Sequence, residues 1–207
     1  MAGAGSAASP SYPVAYDVEP QLTGRNRLTV GFRAILSIPH AIIVGTPGIG
    51  NRSQGLLGAV ALFLAIVAWF AILFTGKHPR GIWDFSAMYL RWRTKAITYM
   101  ALLRDEYPPF GDASYPVTFE ATYPEEERDR LSVGLRLIYV IPHLIVLLFV
   151  GLAWLVTVII AWFAILFTGK YPEAMYRFAV GVMRWHVRVE AYVLLMRDEY
   201  PPFTLQA

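Results

Sequence analysis

The stretch AWFAILFTGK, Ala68 to Lys77, decides the fold because it returns letter for letter at Ala161 to Lys170, 93 residues later. Farther along the chain, RDEYPPF at Arg104 to Phe110 recurs unchanged at Arg197 to Phe203, again with a spacing of 93. Two identical runs at one spacing indicate a unit that is present twice. Such a repeat has to be recognised before any single element is assigned.

Upstream of these runs the two copies are offset by 103 residues. RNRLTVGFRAILSIPH, Arg25 to His40, matches RDRLSVGLRLIYVIPH, Arg128 to His143, and Tyr12-Pro13-Val14 matches Tyr115-Pro116-Val117. Copy one therefore holds ten extra residues, since 103 − 93 = 10. The inserted stretch GTPGIGNRSQ, Gly45 to Gln54, is typical of a loop because it is rich in glycine and polar residues.

Composition predicts a membrane protein. Of the 207 residues, 56% are hydrophobic and 16% are charged, whereas a soluble domain has about 45–50% apolar and about 25% charged residues. The absence of cysteine excludes a disulfide scaffold, a zinc finger and thiol chemistry. The net charge of +3 suggests a nucleic-acid binder only until the charges are located. They flank apolar segments, so no nucleic-acid partner is expected.

Each copy predicts two membrane spans followed by an amphipathic interfacial helix. The run Leu137 to Phe167 has no charged residue and would be about 46 Å long as one helix, against a hydrocarbon core of about 30 Å. A hairpin turning near Gly151 is therefore favoured over one tilted helix. The predicted fold is an all-α integral membrane protein with four transmembrane helices, arranged as a tandem repeat of two-span hairpins.

The predicted boundaries follow from this interpretation. Residues 1–11 are expected to be a disordered N-terminal tail. In copy one, 12–110, the spans are about 28–44 and 56–74 and the interfacial helix is about 80–104. In copy two, 115–203, the spans are about 131–149 and 152–167 and the interfacial helix is about 173–197.

The positions of the charges predict the orientation. With two hairpins, all 15 acids and all of the 18 Lys and Arg residues except Arg52 fall on the side of both termini. The positive-inside rule makes that side cytoplasmic, so 1–24, 77–127 and 170–207 are predicted to be cytoplasmic and 45–55 outside. Copies of two spans share one orientation, which predicts a pseudo-two-fold axis along the membrane normal.

The third segment of each copy carries an aromatic apolar stripe at helical spacing, with Trp92 in copy one and Trp185 in copy two. Aromatic rings flanked by cations suit the headgroup region of a bilayer. Four bordering cations are predicted to contact membrane lipid through anionic headgroups: Arg91, Lys95, Arg184 and Arg188. The alternative is that each helix packs against the protein's own spans and that its cations pair with four acids of the protein: Asp105, Glu106, Asp198 and Glu199.

Two kinds of polar residue are candidates for chemistry. A histidine at membrane depth is a functional-site candidate, and His40 and His143 follow prolines inside the first spans. Too few ligands accompany them for a metal site, so a proline kink with a local polar partner is favoured. Paired acids suited to acid–base work precede the Tyr-Pro-Pro-Phe motifs: Asp105, Glu106, Asp198 and Glu199. A helix-ending turn tied by local ion pairs is favoured there, and no catalytic residue or cofactor is expected.

Taken together, the YPV, IPH, AWFAILFTGK and DEYPPF motifs resemble those of the DUF4389 family of bacterial membrane proteins, in two tandem copies. The resemblance covers about nine-tenths of the chain. It implies a multi-pass protein of the bacterial inner (plasma) membrane with both termini cytoplasmic. It supplies no activity, cofactor or catalytic residue.

The sequence favours a non-catalytic accessory subunit that binds a larger membrane complex, one that handles lipids. Almost no soluble domain remains for catalysis, and the spans lack the polar residues of an ion path. Other integral membrane subunits are therefore expected as partners. The alternative is a small transporter or lipid-binding carrier whose groove is lined by His40 and His143. A membrane enzyme that uses the four acids is the third hypothesis.

Overall fold

The computed structural model describes residues 12–48 and 53–206, so the predicted tail at 1–11 lies outside the described residues. The chain is mostly helical, as predicted. Its elements, in order, are β1 Val14–Val18, α1 Arg27–Gly31, α2 Arg33–Leu36, α3 Ile38–Val44, α4 Gly55–Thr75, α5 Arg80–Met100, β2 Val117–Ala121, α6 Arg130–Gly134, α7 Arg136–Thr168 and α8 Glu173–Val193.

Two of the described helices, α4 and α7, are long and apolar enough to cross a membrane. The prediction of four transmembrane helices is therefore wrong. The predicted span 28–44 is a chain of three short helices, α1 to α3, with breaks at Phe32 and Ser37. The break at Ser37 precedes Pro39, which has no N–H to donate to a helical carbonyl.

Apart from its first residues, which form α6, the predicted span 131–149 is joined to the predicted span 152–167 in one helix, because α7 continues from Arg136 without a turn through Gly151. Helix α7 contains only one glycine and no polar loop. An isolated glycine does not end a helix by itself, and α7 also continues through Pro142, which removes a single helical hydrogen bond. The predicted helices 80–104 and 173–197 are present, and they end at Met100 and Val193.

The insertion in copy one is an excursion from a helix that copy two keeps whole. Gly45 and Gly55, at its two ends, both align with Leu148 of α7. They lie side by side, since a Cβ added to Gly55 would be 2.4 Å from the Gly45 amide nitrogen. Both have positive φ, 90° and 67°, a conformation that favours glycine. Copy one therefore follows the same path as α7 on both sides of the insertion between Gly45 and Gly55.

The two YPV motifs lead into strands, which the all-α prediction missed. β1 and β2 pair in antiparallel fashion, with Tyr16 opposite Phe119 at the centre of the register. These two residues are equivalent at the offset of 103, so a pseudo-two-fold axis passes through the middle of the sheet. Each strand has only five residues, VAYDV or VTFEA, and its alternating pattern is a weak signal beside the long apolar runs.

The two copies exchange their helix contacts. α1 of copy one packs against the C-terminal half of α7, and α6 of copy two packs against the C-terminal half of α4. The Trp162 indole N–H donates to the Val30 carbonyl at 2.9 Å, and its equivalent, Trp69, donates to the Val133 carbonyl at 3.0 Å. Neither copy is therefore a self-contained hairpin, because the first helix of each copy packs on a long helix of the other.

The elements form three layers. The sheet packs on α5 and α8, and these two helices pack in turn on α3, α4 and α7. The middle layer is the core, with Tyr89, Leu90 and Met183 fully buried. The outer helices turn small residues such as Ala61 inward and expose large apolar side chains, including Phe74 at 78% exposure.

Cysteine pairs test the exchange between copies, because the chain contains no cysteine of its own. A Cβ on Gly31 would lie 3.8 Å from Leu166 Cδ2. We expect G31C/L166C to be joined within one chain by a short thiol-specific linker, as measured by linked proteolytic fragments on a gel. The pair G31C/L73C, which a hairpin within copy one would bring together, is expected to stay unlinked. Linkage of G31C/L73C without linkage of G31C/L166C would show instead that each copy forms its own hairpin.

Candidate functional site

The DEYPPF motif of copy one places Asp105 in a cluster with two buried arginines. Asp105 accepts hydrogen bonds from Arg25 Nε and Nη2, at 3.0 and 2.7 Å, and from Arg33 Nη2 at 2.9 Å. The Asn26 backbone amide adds a fourth at 2.7 Å. We call Arg25, Arg33 and Asp105 the first Arg–Asp cluster. It fastens the beginning of the first helix to the end of α5.

Copy two repeats this arrangement with Arg128, Arg136 and Asp198, the second Arg–Asp cluster. Arg128 Nε and Arg136 Nη2 each donate to Asp198 at 2.7 Å. The guanidinium of Arg136 also lies 4.0 Å from the centre of the Tyr192 ring. The two arginines of each cluster share one carboxylate, and carbonyls accept from the Nη1 atoms of Arg33 and Arg136, as buried charges require. The Nε atoms of these two arginines are buried without a hydrogen-bond partner in the described part of the chain.

Each cluster supports a strained turn. Leu102 and Leu195 are the two described non-glycine residues with positive φ, 62° and 60°, and leucine rarely adopts this conformation. The Leu102 carbonyl accepts from Arg25 Nη2 at 2.6 Å, and the Leu195 carbonyl accepts from Arg128 Nη1 at 2.9 Å. The arginines therefore hold the turns in which α5 and α8 end.

The acids in these turns are ill suited to proton transfer. Burial raises the pKa of Asp105, but hydrogen bonds from Arg25 and Asn26 and the arginine charges outweigh it and hold the pKa below its ordinary value. The pKa of Asp198 is lowered in the same way against its burial. Hydrogen bonds from Arg104 lower the pKa of Glu106. A general acid needs a pKa near the working pH, so these carboxylates serve as anchors for cations.

The two predicted membrane histidines are fully buried, each within its own copy. Trp92 Nε1 donates to His40 Nδ1 at 3.1 Å, and the Phe110 ring stacks on His40 with centroids 4.5 Å apart. The same two contacts recur in copy two among His143, Trp185 and Phe203. Neither histidine lines any of the cavities described for 12–48 and 53–206. His40 therefore joins the Tyr-Pro-Pro-Phe motif of copy one to α3 and α5, and His143 joins that of copy two to α7 and α8.

Two of the four predicted headgroup cations are buried. Lys95 donates to the Ala113 carbonyl at 2.6 Å, and its equivalent Arg188 donates to the Gln206 carbonyl at 2.8 Å. Both acceptors belong to segments that follow the Tyr-Pro-Pro-Phe motifs. These two cations therefore hold chain segments against α5 and α8.

The other two predicted headgroup cations pair with acids on the sheet side of the molecule. Arg91, with 40% of its side chain exposed, lies 3.4 Å from Asp112. Arg184 lies 3.0 Å from Asp17 at the end of β1. The acids differ from the four that the alternative interpretation named, because those four are engaged by other arginines.

One polar cluster has no duplicate. Arg93 Nε lies 2.7 Å from Glu190 Oε1, and His186 Nε2 lies 3.7 Å from Glu190 Oε2, all three side chains being buried. Arg93 and His186 are equivalent at the spacing of 93, whereas the equivalent of Glu190 is Ile97. We call Arg93, His186 and Glu190 the central cluster.

Arg93 satisfies the carbonyls that the insertion frees. Its Nη1 donates to Val44 and Ser53 carbonyls at 2.6 and 2.9 Å, and its Nη2 donates to the Thr46 carbonyl at 3.2 Å. Copy two has an unbroken helix there and so offers its equivalent, His186, no such carbonyls. Sequence reasoning missed this cluster, although the mismatch of Arg93 with His186 between matched copies was a visible signal.

The described residues contain no group of three His, Asp or Glu side chains placed to hold a metal ion. A family model described as "Domain of unknown function (DUF4389)" matches residues 27–111 and 130–204. The chain belongs to the DUF4389 family. The two matched segments agree with the tandem copies predicted from the sequence. No curated protein and no solved structure matches the chain.

Replacing the aspartate of either Arg–Asp cluster tests its role. D105N and D198N each leave two buried arginines without a carboxylate, and removing one partner of a buried pair costs about 3–5 kcal/mol. We expect a large drop in the thermal unfolding temperature in detergent. The matched controls E106Q and E199Q break half-exposed pairs, which are worth about 0–1 kcal/mol. Equal effects of the Asp and Glu variants would contradict the anchoring role.

Acid titration tests the same clusters independently. The pKa values of Asp105 and Asp198 are lower in the folded chain than the value of about 3.9 in an unfolded chain. The stability that the two ionised carboxylates give the fold is therefore complete above the unfolded pKa. It is lost as the pH falls from there through the lower pKa of the folded chain. We expect the unfolding temperature of the wild type to fall more steeply below about pH 4 than that of D105N/D198N. Parallel curves would show that the two carboxylates do not control acid stability.

Proposed function

We propose that this protein is a non-catalytic accessory subunit that binds a larger complex in the bacterial inner membrane, one that handles lipids. The observation that carries the proposal is the outer surface of α4 and α7, which is apolar along its whole length and is covered by no other described element. An exposed apolar patch of this extent is typical of a surface that meets a membrane or a partner.

The exposed apolar surface extends over both helices. On α7 it begins at Leu137 and ends at Phe167, both more than 70% exposed, so the stripe is about 46 Å long at the rise of an α-helix. On α4 it follows a helical stripe through Phe63 and Phe70 to Phe74. Both helices also expose apolar side chains between these residues, and neither carries a charged residue on this surface.

The middle layer limits how the molecule sits in a bilayer. α5 begins beside the second Arg–Asp cluster, where Trp83 donates to the Met196 carbonyl at 3.3 Å. It ends at the first, where the Arg33 guanidinium lies 3.8 Å from the centre of the Tyr99 ring. Its 21 residues separate the two clusters by about 30 Å. The sheet packs on α5 and α8, and Arg184 of α8 donates to the Tyr16 carbonyl at 3.3 Å.

An open sheet edge and exposed charges are not tolerated in hydrocarbon, so α5 and α8 do not run across the bilayer. Both Arg–Asp clusters then lie on one aqueous side. α7 joins the same two ends, and crossing a core of about 30 Å with a helix of about 50 Å would need a tilt near 50°, beyond the usual range. We therefore place the α4 and α7 surface in the bilayer from the cytoplasmic side, with the pseudo-two-fold axis along the membrane normal.

Anionic lipid headgroups are the proposed polar partners of the protein where the α4 and α7 surface enters the bilayer. Exposed cations stand at both ends of the apolar surface, two at the first positions of α1 and α6 and two just after α4 and α7: Arg27, Arg130, Lys77 and Lys170. Each adds about 1 kcal/mol of attraction near an anionic surface. They replace the four predicted cations in the proposal because of their position: Lys95 and Arg188 are buried, and Arg91 and Arg184 pair with Asp112 and Asp17. Of the replacements, Arg130 also pairs with Glu127 at 3.0 Å.

The placement of the polar residues favours binding over turnover. His40 and His143, the features of the carrier hypothesis, are enclosed by aromatic rings in separate copies. The four acids of the enzyme hypothesis are paired with arginines. In the described residues the conserved geometry of the two copies thus serves the fold, and the apolar surface is what remains for recognition.

Single cysteines test the one-sided seat. Glu125 precedes α6 near the second Arg–Asp cluster, and Glu173 begins α8 at the opposite end; both are exposed. We expect E125C and E173C to resist an impermeant thiol reagent in intact cells and to react in inverted membrane vesicles. T118C on the exposed face of β2 is the matched control for the cytoplasmic side. Opposite labelling of the two variants would mean that the chain crosses the membrane between them.

Photo-crosslinking tests the accessory role. A photoreactive residue at Phe63 or Phe163, on the apolar surface of α4 or α7, is expected to give one discrete protein adduct of constant mass in native membranes. The same residue at Thr118 on the sheet is the control and should not give that adduct. If both apolar positions yield lipid adducts alone, the protein is not a subunit of a larger complex.

A further inference from the structure

A cavity of about 270 Å³ lies between the two copies, beside the central cluster. Its wall is almost wholly apolar, formed by one face of α7 together with Met100 and Val182. A second cavity of about 220 Å³ adjoins it and shares Gly48, Leu147 and His186. Small-molecule sites measure about 300–1,000 Å³, so the two adjoining cavities together are large enough for a ligand.

Trp154 lines this cavity and has an unused donor. Trp154 is 6% exposed, and its buried indole N–H has no hydrogen-bond partner among the described residues. The other five indole N–H groups of the chain all donate, to carbonyls of Val30, Val133 and Met196 and to His40 and His143. An indole only donates, so the missing partner has to be an acceptor.

His186 supplies a second unused polar group at the same place. It lines both cavities, and its Nε2 is buried without a hydrogen-bond partner, 3.7 Å from the Glu190 carboxylate. Arg93 already neutralises Glu190 at 2.7 Å. A neutral acceptor fits beside this balanced pair better than a second carboxylate, which Glu190 would repel.

The mouth of the cavity opens on the apolar surface. Leu148, Leu152 and Leu155 line the cavity and are each more than half exposed on α7. A ligand that enters between them has to be apolar along most of its length. Copy one has no counterpart of the site, because the equivalent of Trp154 is Ala61 and that of His186 is the fully engaged Arg93.

We propose that this cavity binds one acyl chain of a membrane lipid, with the ester carbonyl accepting from the Trp154 indole and reaching His186. The apolar wall takes the hydrocarbon, and the two polar groups take the one polar atom pair that an acyl ester carries into it. Entry from the bilayer rests on the proposed membrane seat. The binding itself does not, so it is measurable in detergent.

The test uses the purified full chain and two photoactivatable probes, a diazirine-bearing acyl chain in phosphatidylcholine and the same chain as a free fatty acid. We expect saturable labelling by the phosphatidylcholine probe at about one per chain, mapped by mass spectrometry to α7 and α8 around Trp154 and His186. Labelling that saturates only with the fatty acid assigns the site to a carboxylate and overturns the ester. Unsaturable labelling spread over α4 and α7 overturns the site altogether.

Variants separate the site from general lipid contact. W154F keeps the ring and removes the donor, so the affinity for the phosphatidylcholine probe should fall by up to about tenfold with an unchanged unfolding temperature. W162F is the matched control, because its N–H bonds the Val30 carbonyl; it should lose stability and keep the affinity. G151L is the second variant. Gly151 lines the cavity and has open space beside it, so a leucine there should block labelling without unfolding the chain. Full saturable labelling in both W154F and G151L would overturn the proposal.

Discussion

A buried guanidinium requires a carboxylate, and the rest of the structure depends on that requirement. Arg25 and Arg33 are both enclosed, and Asp105 is the carboxylate that they share. The pairing joins the beginning of α1 to the turn that follows α5. It therefore makes α5 run back along the helices that precede it in the chain. The same pairing in copy two gives α8 the same course. Two identical constraints on one chain thus produce two similar halves around a pseudo-two-fold axis.

The sequence was sufficient for the repeat and for α4, α5 and α8, because letter-for-letter identity and helical periodicity report local structure directly. It was insufficient for the partner of each helix. The apolar residues around Trp69 and Trp162 have the same sequence pattern whether their helices pack within one copy or against the other copy. The pattern therefore does not identify the partner helix. The prediction for α7 is wrong for a physical reason. The length of its apolar run exceeds the thickness of a bilayer core, which favours a turn, but the chain has no sequence there that ends a helix.

The candidate site was predictable only where its parts are close in sequence. The paired acids were placed correctly in helix-ending turns, but Arg25 is 80 residues from Asp105 and no local pattern reports such a distance. The cations of the amphipathic helices were assigned to lipid because a polar stripe reads the same beside water, headgroups or another strand. Arg184 shows the difference, since its neighbours are Tyr16 and Asp17 of β1.

Divergence between the copies is concentrated where they meet. The insertion breaks one helix and frees carbonyls, Arg93 binds them, and Glu190 neutralises the buried charge. On the other side the helix stays whole, so His186 has no carbonyl to bind and Trp154 stands where copy one has Ala61. The insertion and the separate difference between Trp154 and Ala61 together leave two polar groups beside an apolar cavity. A duplicated fold held by its two Arg–Asp clusters tolerates such change at its centre, because neither cluster depends on it.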